Sequence, residues 1–251
     1  MPTPLIPKAD LLEIFSSIQG EGVLVGYRQI FLRFPDCNLN CRYCDTDFLQ
    51  SKTCQVESSP GTGKLDKFEN PLDFATVENL ISTWDTELPD AHHSISITGG
   101  EPLVHQQLLS SWLPELRKIL PIYLETNGTL PDQLVTLIHH LDWVSMDIKL
   151  HSLTGERTEW DIHRRFLEIA NLTDCYVKLV VGDETPDLEL QLAADLVSTV
   201  SKHIPIVLQP VTIGGRITIA TKRLLEMQSL ISEINSNVRV IPQTHRFMGV
   251  L

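Results

Sequence analysis

Trp143-Val144-Ser145-Met146-Asp147-Ile148-Lys149-Leu150 reads as a strand with two unlike faces. Side chains alternate along a strand, so Val144, Met146, Ile148 and Leu150 share one side while Ser145, Asp147 and Lys149 share the other. The first face suits a hydrocarbon core and the second suits polar chemistry. The same division recurs where Ile95 and Ile97 oppose Ser96 and Thr98, and more weakly where Leu124 and Thr126 oppose Glu125 and Asn127. A strand in a doubly wound sheet is covered by helices on both faces and should be apolar on both. Several strands with one polar face point instead to a barrel lumen that holds a ligand, its polar groups gathered near the carboxyl ends of the strands.

Outward from this stretch, β-branched or aromatic runs lie at Gln29 to Phe34, Ser94 to Thr98, Ile122 to Thr126, Tyr176 to Val181, Ile206 to Gln209 and Val238 to Ile241. Helical stripes fall between them, at Val77/Leu80/Ile81/Trp84, Leu109/Trp112/Leu113/Leu116, Leu134/Leu137/Ile138/Leu141, Leu192/Leu196/Val200 and Leu224/Met227/Ile231/Ile234. Pro114 is expected to weaken or kink the second helix, and Thr185-Pro186 to open the fourth as cap and first-turn proline. Strand-then-helix repetition predicts an α/β fold, a parallel sheet with right-handed crossovers that is either doubly wound or a (β/α) barrel, complete or partial. One domain over residues 1–251 is expected, with a loop insertion near 50–70.

Composition narrows the function. The 251 residues carry 20 basic and 32 acidic side chains, a net charge of -12, which disfavours a nucleic-acid surface. No apolar run reaches the roughly 18 residues that span a bilayer, and the start MPTPLIPKADLLEIF lacks the basic and apolar parts of a signal peptide. A cytoplasmic protein without membrane partners is the expectation. Five cysteines, three of them within eight residues, suit a metal better than a disulfide framework.

Those three are Cys37, Cys41 and Cys44, in Cys37-Asn-Leu-Asn-Cys41-Arg-Tyr43-Cys44-Asp45-Thr46. Structural zinc and ordinary electron-transfer clusters take four protein ligands, so three thiolates leave one metal position open to a ligand from solution. A zinc site completed by a histidine such as His245, or a set of buried free thiols, are the alternatives. Cys54 and Cys175 read as a loop thiol and a small core residue. The loop resembles that of the radical S-adenosylmethionine superfamily, whose C-x3-C-x2-C segment holds a 4Fe-4S cluster with a free iron for the cofactor, and the resemblance implies an α/β fold of the radical-SAM type, a partial (β/α) barrel of about six parallel strands. Thr98-Gly99-Gly100-Glu101-Pro102 is similar to the superfamily's Gly-Gly-Glu segment, which implies that Gly99, Gly100 and Glu101 meet the cofactor's amino group. Tyr43 matches the aromatic that contacts adenine.

Further motifs narrow the resemblance. Ile18-Gln19-Gly20-Glu21, Arg33, Asp45-Thr46, Glu125-Thr-Asn127-Gly128-Thr129 and Pro242-Gln243-Thr-His245-Arg246 are together similar to the 7-carboxy-7-deazaguanine synthase family, from Glu13 to Leu251. The resemblance implies ring contraction of 6-carboxy-5,6,7,8-tetrahydropterin with release of ammonia, on the route to queuosine and other deazapurines. It implies S-adenosylmethionine, the cluster and Mg2+, with the radical borne by the cofactor and no catalytic side chain. Ile18, Gln19, Gly20 and Glu21 would contact or approach the pterin, Thr98 the substrate, Arg33 its carboxylate, and Thr46 the Mg2+. Gln243 and His245 are further substrate candidates, and Asp147 and Lys149 further cofactor candidates. An external electron donor such as flavodoxin or ferredoxin, and a homodimer, are also implied.

Three positions depart from the family's pattern. Asp147-Ile148-Lys149 stands where many members have Ser-Pro-Lys, Asp36 where they usually have glycine, and Leu251 where they often end in proline. A radical enzyme that activates a protein partner would share the cysteine loop but give no reason for Gln19, Arg33 and the Pro242–Arg246 segment. A non-catalytic iron-sulfur module would leave the polar strand faces unexplained.

Overall fold

The computed structural model describes residues 6–42, 44 and 51–250. The chain opens with the antiparallel pair β1 (Glu13–Ile18) and β2 (Arg28–Phe34), then the hairpin β3 (Thr53–Glu57) and β4 (Leu65–Glu69). Helix and strand alternate thereafter: α1 (Phe74–Glu87), β5 (Ser94–Gly99), α2 (Gln106–Leu116), β6 (Ile122–Thr126), α3 (Pro131–Leu137) and β7 (Trp143–Asp147). Next come α4 (His151–Thr154), α5 (Trp160–Ala170), β8 (Asp174–Val181), α6 (Asp187–Val200) and β9 (Ile206–Pro210). A two-strand ribbon, β10 (Thr212–Ile213) and β11 (Arg216–Ile217), precedes α7 (Thr221–Ser232), β12 (Val238–Val240) and α8 (His245–Met248).

The large sheet has the order β12-β9-β8-β7-β6-β5-β2-β1-β3-β4. From β2 to β12 each parallel strand lies beside the one before it in sequence, so no crossover reverses direction. With one hand of crossover, that order places the helices on a single face, where consecutive helices from α2 to α7 pack side by side around the short α4. The opposite face is left as a lumen. This is the expected partial barrel, with seven parallel strands where about six were expected, because β12 also pairs with β9.

The period-two reading is realised in the packing. Ile95, Ile97, Val144, Met146 and Ile148 are fully buried between sheet and helices with Trp112, Leu134 and Phe166. On the lumen side a smaller apolar cluster closes the floor: Leu24, carried on a 3-10 turn after β1, packs on Tyr123, Tyr176 and Val207. The two tyrosine hydroxyls bond at 2.6 Å beneath the polar layer above them.

Reading residues 50–70 as a loop misses two strands. β3 pairs parallel with β1, opposing Gln55 to Glu13, and so extends the lumen wall. Cys54 and Val56 enter the core while Thr53 and Gln55 face the cavity. β4 is an edge strand, mostly exposed, and carries little of the apolar alternation by which a strand is recognised. Two smaller expectations also change. Pro186 sits at the cap of α6 rather than in its first turn, and α5 was not anticipated.

Candidate active site

A cavity of about 950 Å3 opens at the carboxyl ends of the parallel strands. Ile18, Gln19, Gly20, Glu21, Arg33, Thr98, Gln243 and His245 all line it, as do Gly99, Gly100, Asp147, Lys149 and the three loop cysteines. Segments as far apart in sequence as Gln19 and His245 therefore share one wall. Tyr43 and Thr46 lie outside the described residues.

The glycine pair is explained by the chain itself. Gly99 has φ +124°, and a Cβ there would meet the Phe34 carbonyl oxygen at 2.1 Å; one on Gly100 would meet that of Asp36 at 1.9 Å. Gly100 N donates to Phe34 O (3.0 Å) and Glu101 N to Asp36 O (2.8 Å), so the end of β5 is laced to the start of the cysteine loop. Asp36 takes the left-handed conformation (φ 61°) that glycine adopts most easily, so the turn survives the departure from the family residue at some steric cost.

Glu101 is not on the cavity wall. It is fully buried, and its carboxylate accepts from Leu103 N (3.0 Å), Asn127 N (2.7 Å) and Thr126 Oγ1 (2.9 Å). Burial raises its pKa to about 7 in spite of these donors. Its carboxylate joins β5 to the end of β6. Asn127 continues the join, donating to Asn38 Oδ1 at 2.8 Å and so tethering the cysteine loop from the other side.

Burial raises the pKa of the Cys37 thiol and pushes Cys41 up to about 11, with neighbouring thiols adding to both. Among the described residues no three thiol, imidazole or carboxylate groups form a ready-made cage for a metal ion. The donor chemistry nonetheless fits a thiolate-held cluster: three thiols edge one cavity, and a multivalent cation would favour their deprotonated forms. Cys54 and Cys175 are buried in the apolar core, and His245 packs against Gly20.

The opposite wall carries Arg33. Its Nε donates to Glu13 Oε2 at 2.7 Å and its guanidinium lies 5.5 Å over the Phe15 ring. Phe15 stacks on Phe31 at 4.9 Å, giving the cavity a flat apolar side. The terminal guanidinium nitrogens bond no described residue, so the fork remains available to an incoming anion.

Deeper in, charges alternate. Lys178 of β8 reaches across the lumen to Glu21 and lies 3.5 Å from Asp147 Oδ2, which also accepts from Lys149 Nζ at 2.7 Å. Burial works against the charge on Lys178, yet Glu21, Asp147 and Glu125 raise its pKa well above the lysine norm. Burial likewise opposes the charge on Glu21, but Lys178, Gln243 and His245 outweigh it and bring its pKa down to about 2. Glu125 accepts from Gln19 Nε2 (2.9 Å) and Thr98 Oγ1 (2.6 Å). Lys178, Glu13 and Phe15 were not anticipated as site residues. Parity in Tyr176–Val181 sets Lys178 on the same face as Tyr176, a signal that the surrounding valines and leucine obscure.

The radical SAM superfamily profile matches residues 32–173. A 7-carboxy-7-deazaguanine synthase of Geobacter sulfurreducens is 47% identical over 98% of this chain and 99% of its own length. That of Methanothermobacter thermautotrophicus is 37% identical over 98% and 99%. The crystal structure of QueE from Escherichia coli superposes with a TM-score of 0.57 over 95% of each chain at 22% identity, a likeness of fold.

Proposed function

The chain belongs to the radical SAM superfamily and, within it, to the 7-carboxy-7-deazaguanine synthases, and from that premise we propose how its own residues hold the reactants. The protein is a radical SAM lyase that contracts 6-carboxy-5,6,7,8-tetrahydropterin to 7-carboxy-7-deazaguanine with loss of ammonia. A 4Fe-4S cluster and S-adenosylmethionine, when bound, supply the radical chemistry.

Cys37, Cys41 and Cys44 hold the cluster at the mouth of the cavity. Lys149 and Asp147, which line the same cavity as Gly99 and Gly100, form the cofactor wall with them, where a cation and a carboxylate suit the two charged ends of an amino acid. The pterin lies deeper, against the Phe15–Phe31 stack, with its carboxylate taken by the free fork of Arg33. Glu125, already oriented by Thr98 and Gln19, presents carboxylate lone pairs to ring N–H groups. The observation that carries this reading is the meeting of three thiols, an arginine whose terminal guanidinium nitrogens bond no described residue, and a stacked aromatic wall in one cavity.

Mg2+ at Thr46, an external reductant such as flavodoxin or ferredoxin, a homodimer and a cytoplasmic setting complete the proposal on the strength of the family resemblance. Among the described residues no helix is long and apolar enough to cross a membrane. Anaerobic reconstitution followed by incubation with reductant, S-adenosylmethionine and the carboxypterin tests the reading. The deazaguanine is the expected product, and adenosyl cleavage without it overturns the substrate assignment.

A further inference from the structure

Asn127, the residue after β6, is only 5% exposed, and its backbone is pinned from two sides. Its N donates to Glu101 Oε2 at 2.7 Å, and its carbonyl oxygen accepts from His163 Nε2 at 3.2 Å. The side chain is fixed as well. Oδ1 accepts from Thr129 N (3.1 Å) and from Thr129 Oγ1 (2.5 Å), while Asn38 Nδ2 donates to that same hydroxyl at 2.9 Å. With Asn127 Nδ2 donating to Asn38 Oδ1 at 2.8 Å, three side chains close a ring of hydrogen bonds.

Two donors on Oδ1 decide which end of the amide is nitrogen, so Nδ2 faces the cysteine loop. That nitrogen carries two hydrogens, and the ring uses one. The other has Cys37 Sγ as its acceptor, 4.0 Å away, and Leu39 N approaches the same sulfur at 3.5 Å. A thiol is a weak acceptor, which suits so long a contact, whereas a thiolate on iron is charged and takes an N–H more strongly. Cluster potentials respond to hydrogen bonds at their sulfurs, because the positive end of an N–H dipole favours the state that holds the extra electron.

We propose that Asn127 is a positioning residue that raises the reduction potential of the cluster: its second Nδ2 hydrogen bonds the Cys37 thiolate, and the ring with Asn38 and Thr129 holds that hydrogen in place. The electron itself still comes from the external reductant. The inference rests on the cluster reading above and assigns part of the cluster's tuning to a side chain outside the cysteine loop.

The test uses anaerobically reconstituted enzyme poised at a series of potentials without S-adenosylmethionine, with the reduced cluster followed by its electron paramagnetic resonance signal. Wild type is compared with Asn127→Leu, Asn127→Asp and Asn38→Ala. At the potential that half-reduces wild type, Asn127→Leu is expected to show a reduced-to-oxidised ratio about 3- to 10-fold lower, tenfold being about 59 mV for one electron. Asn127→Asp keeps the side-chain shape but sets a charge where the N–H was, so its ratio should fall at least as far. Asn38 is exposed, and Asn38→Ala opens the ring while leaving the donor, so its ratio should stay within about twofold of wild type. An Asn127→Leu ratio equal to that of wild type overturns the inference, as does an Asn38→Ala ratio that falls as far as that of Asn127→Leu, since clamping alone would then set the potential. If Asn127→Leu takes up no cluster, Asn127→Asp decides in the same way; loss of the cluster in both, or in Asn38→Ala, makes the ring a clamp only and overturns the inference too. Wild-type protein that takes up no cluster removes the cluster reading itself, and this inference with it.

Discussion

Gly100 shows how little space separates the two strand ends that carry the site. Its missing side chain admits the Asp36 carbonyl, and Gly100→Ala would drive a methyl into that oxygen. Backbone cannot swing aside as a flexible side chain can, so a loss of about 3 kcal/mol or more in urea denaturation is expected, with a lower iron-to-protein ratio after reconstitution because Cys37 follows Asp36. Glu101, one residue on, gives a pH signature. Its folded pKa of about 7 lies above the ordinary glutamate value of 4.5, so its neutral form is favoured by folding. The contribution is full below pH 4.5 and is lost as pH rises through about 7, on the order of 3 kcal/mol. Glu101→Gln removes this titration, and its denaturation midpoint should vary less than that of wild type between pH 5 and pH 8. Sequence alone suggested Glu101 as an acid near the cofactor; it could not show that the carboxylate also accepts from Thr126 Oγ1 and Asn127 N, some 25 residues away, which no local pattern reveals.

At the scale of elements, the hairpin β3–β4 is held by its pairing with β1 and, at its base, by one side chain. Asn70 accepts from Leu11 N at 3.2 Å and donates to Leu11 O at 2.8 Å and Ser51 O at 2.9 Å, imitating a strand pairing where the hairpin returns to the body. Asn70→Ala leaves those backbone groups without partners, and a loss of about 2 kcal/mol is expected by chemical denaturation. Because Thr53 and Gln55 line the cavity from this hairpin, pterin binding should weaken while S-adenosylmethionine binding is retained. Comparison of the elements shows what alternation can and cannot reveal. β5 and β7 were legible because a polar lumen face opposes an apolar core face. β8 and β9 hide Lys178 and Gln209 among valines and leucines that are apolar on both faces, and β4 is too exposed to carry a pattern. The singly wound order follows from the same polar faces, since only a sheet with helices on one side leaves a lumen for them.

For the whole molecule, the open barrel is held across its lumen by an ionic bridge rather than by a closed ring of strands. Lys178 on β8 grips Glu21, which follows β1, and Glu21 in turn accepts from Gln243 at 2.7 Å. Thr244 N then donates to Gly20 O at 2.8 Å, so the C-terminal segment is fastened to the same point. Three distant parts of the chain meet at one carboxylate. Removing the cation should therefore do more than delete a contact: Lys178→Met strands the buried Glu21 charge, while Asp147 keeps Lys149. Breaking a buried pair from one side costs about 3–5 kcal/mol, much of it the desolvation of the partner left behind. Glu21→Gln in the same chain removes that stranded charge, so the double variant should recover a large part of the loss, a coupling of about 1–3 kcal/mol in a urea-denaturation cycle at pH 7. Additive losses would mean that Lys178 and Glu21 stabilise the barrel separately and that the bridge does not close it. Acid tests the same linkage in wild type. Glu21's folded pKa of about 2 lies below the ordinary glutamate value of 4.5, so its stabilising contribution is present above pH 4.5 and is lost as pH falls toward 2. Glu21→Gln should be less sensitive than wild type across that window.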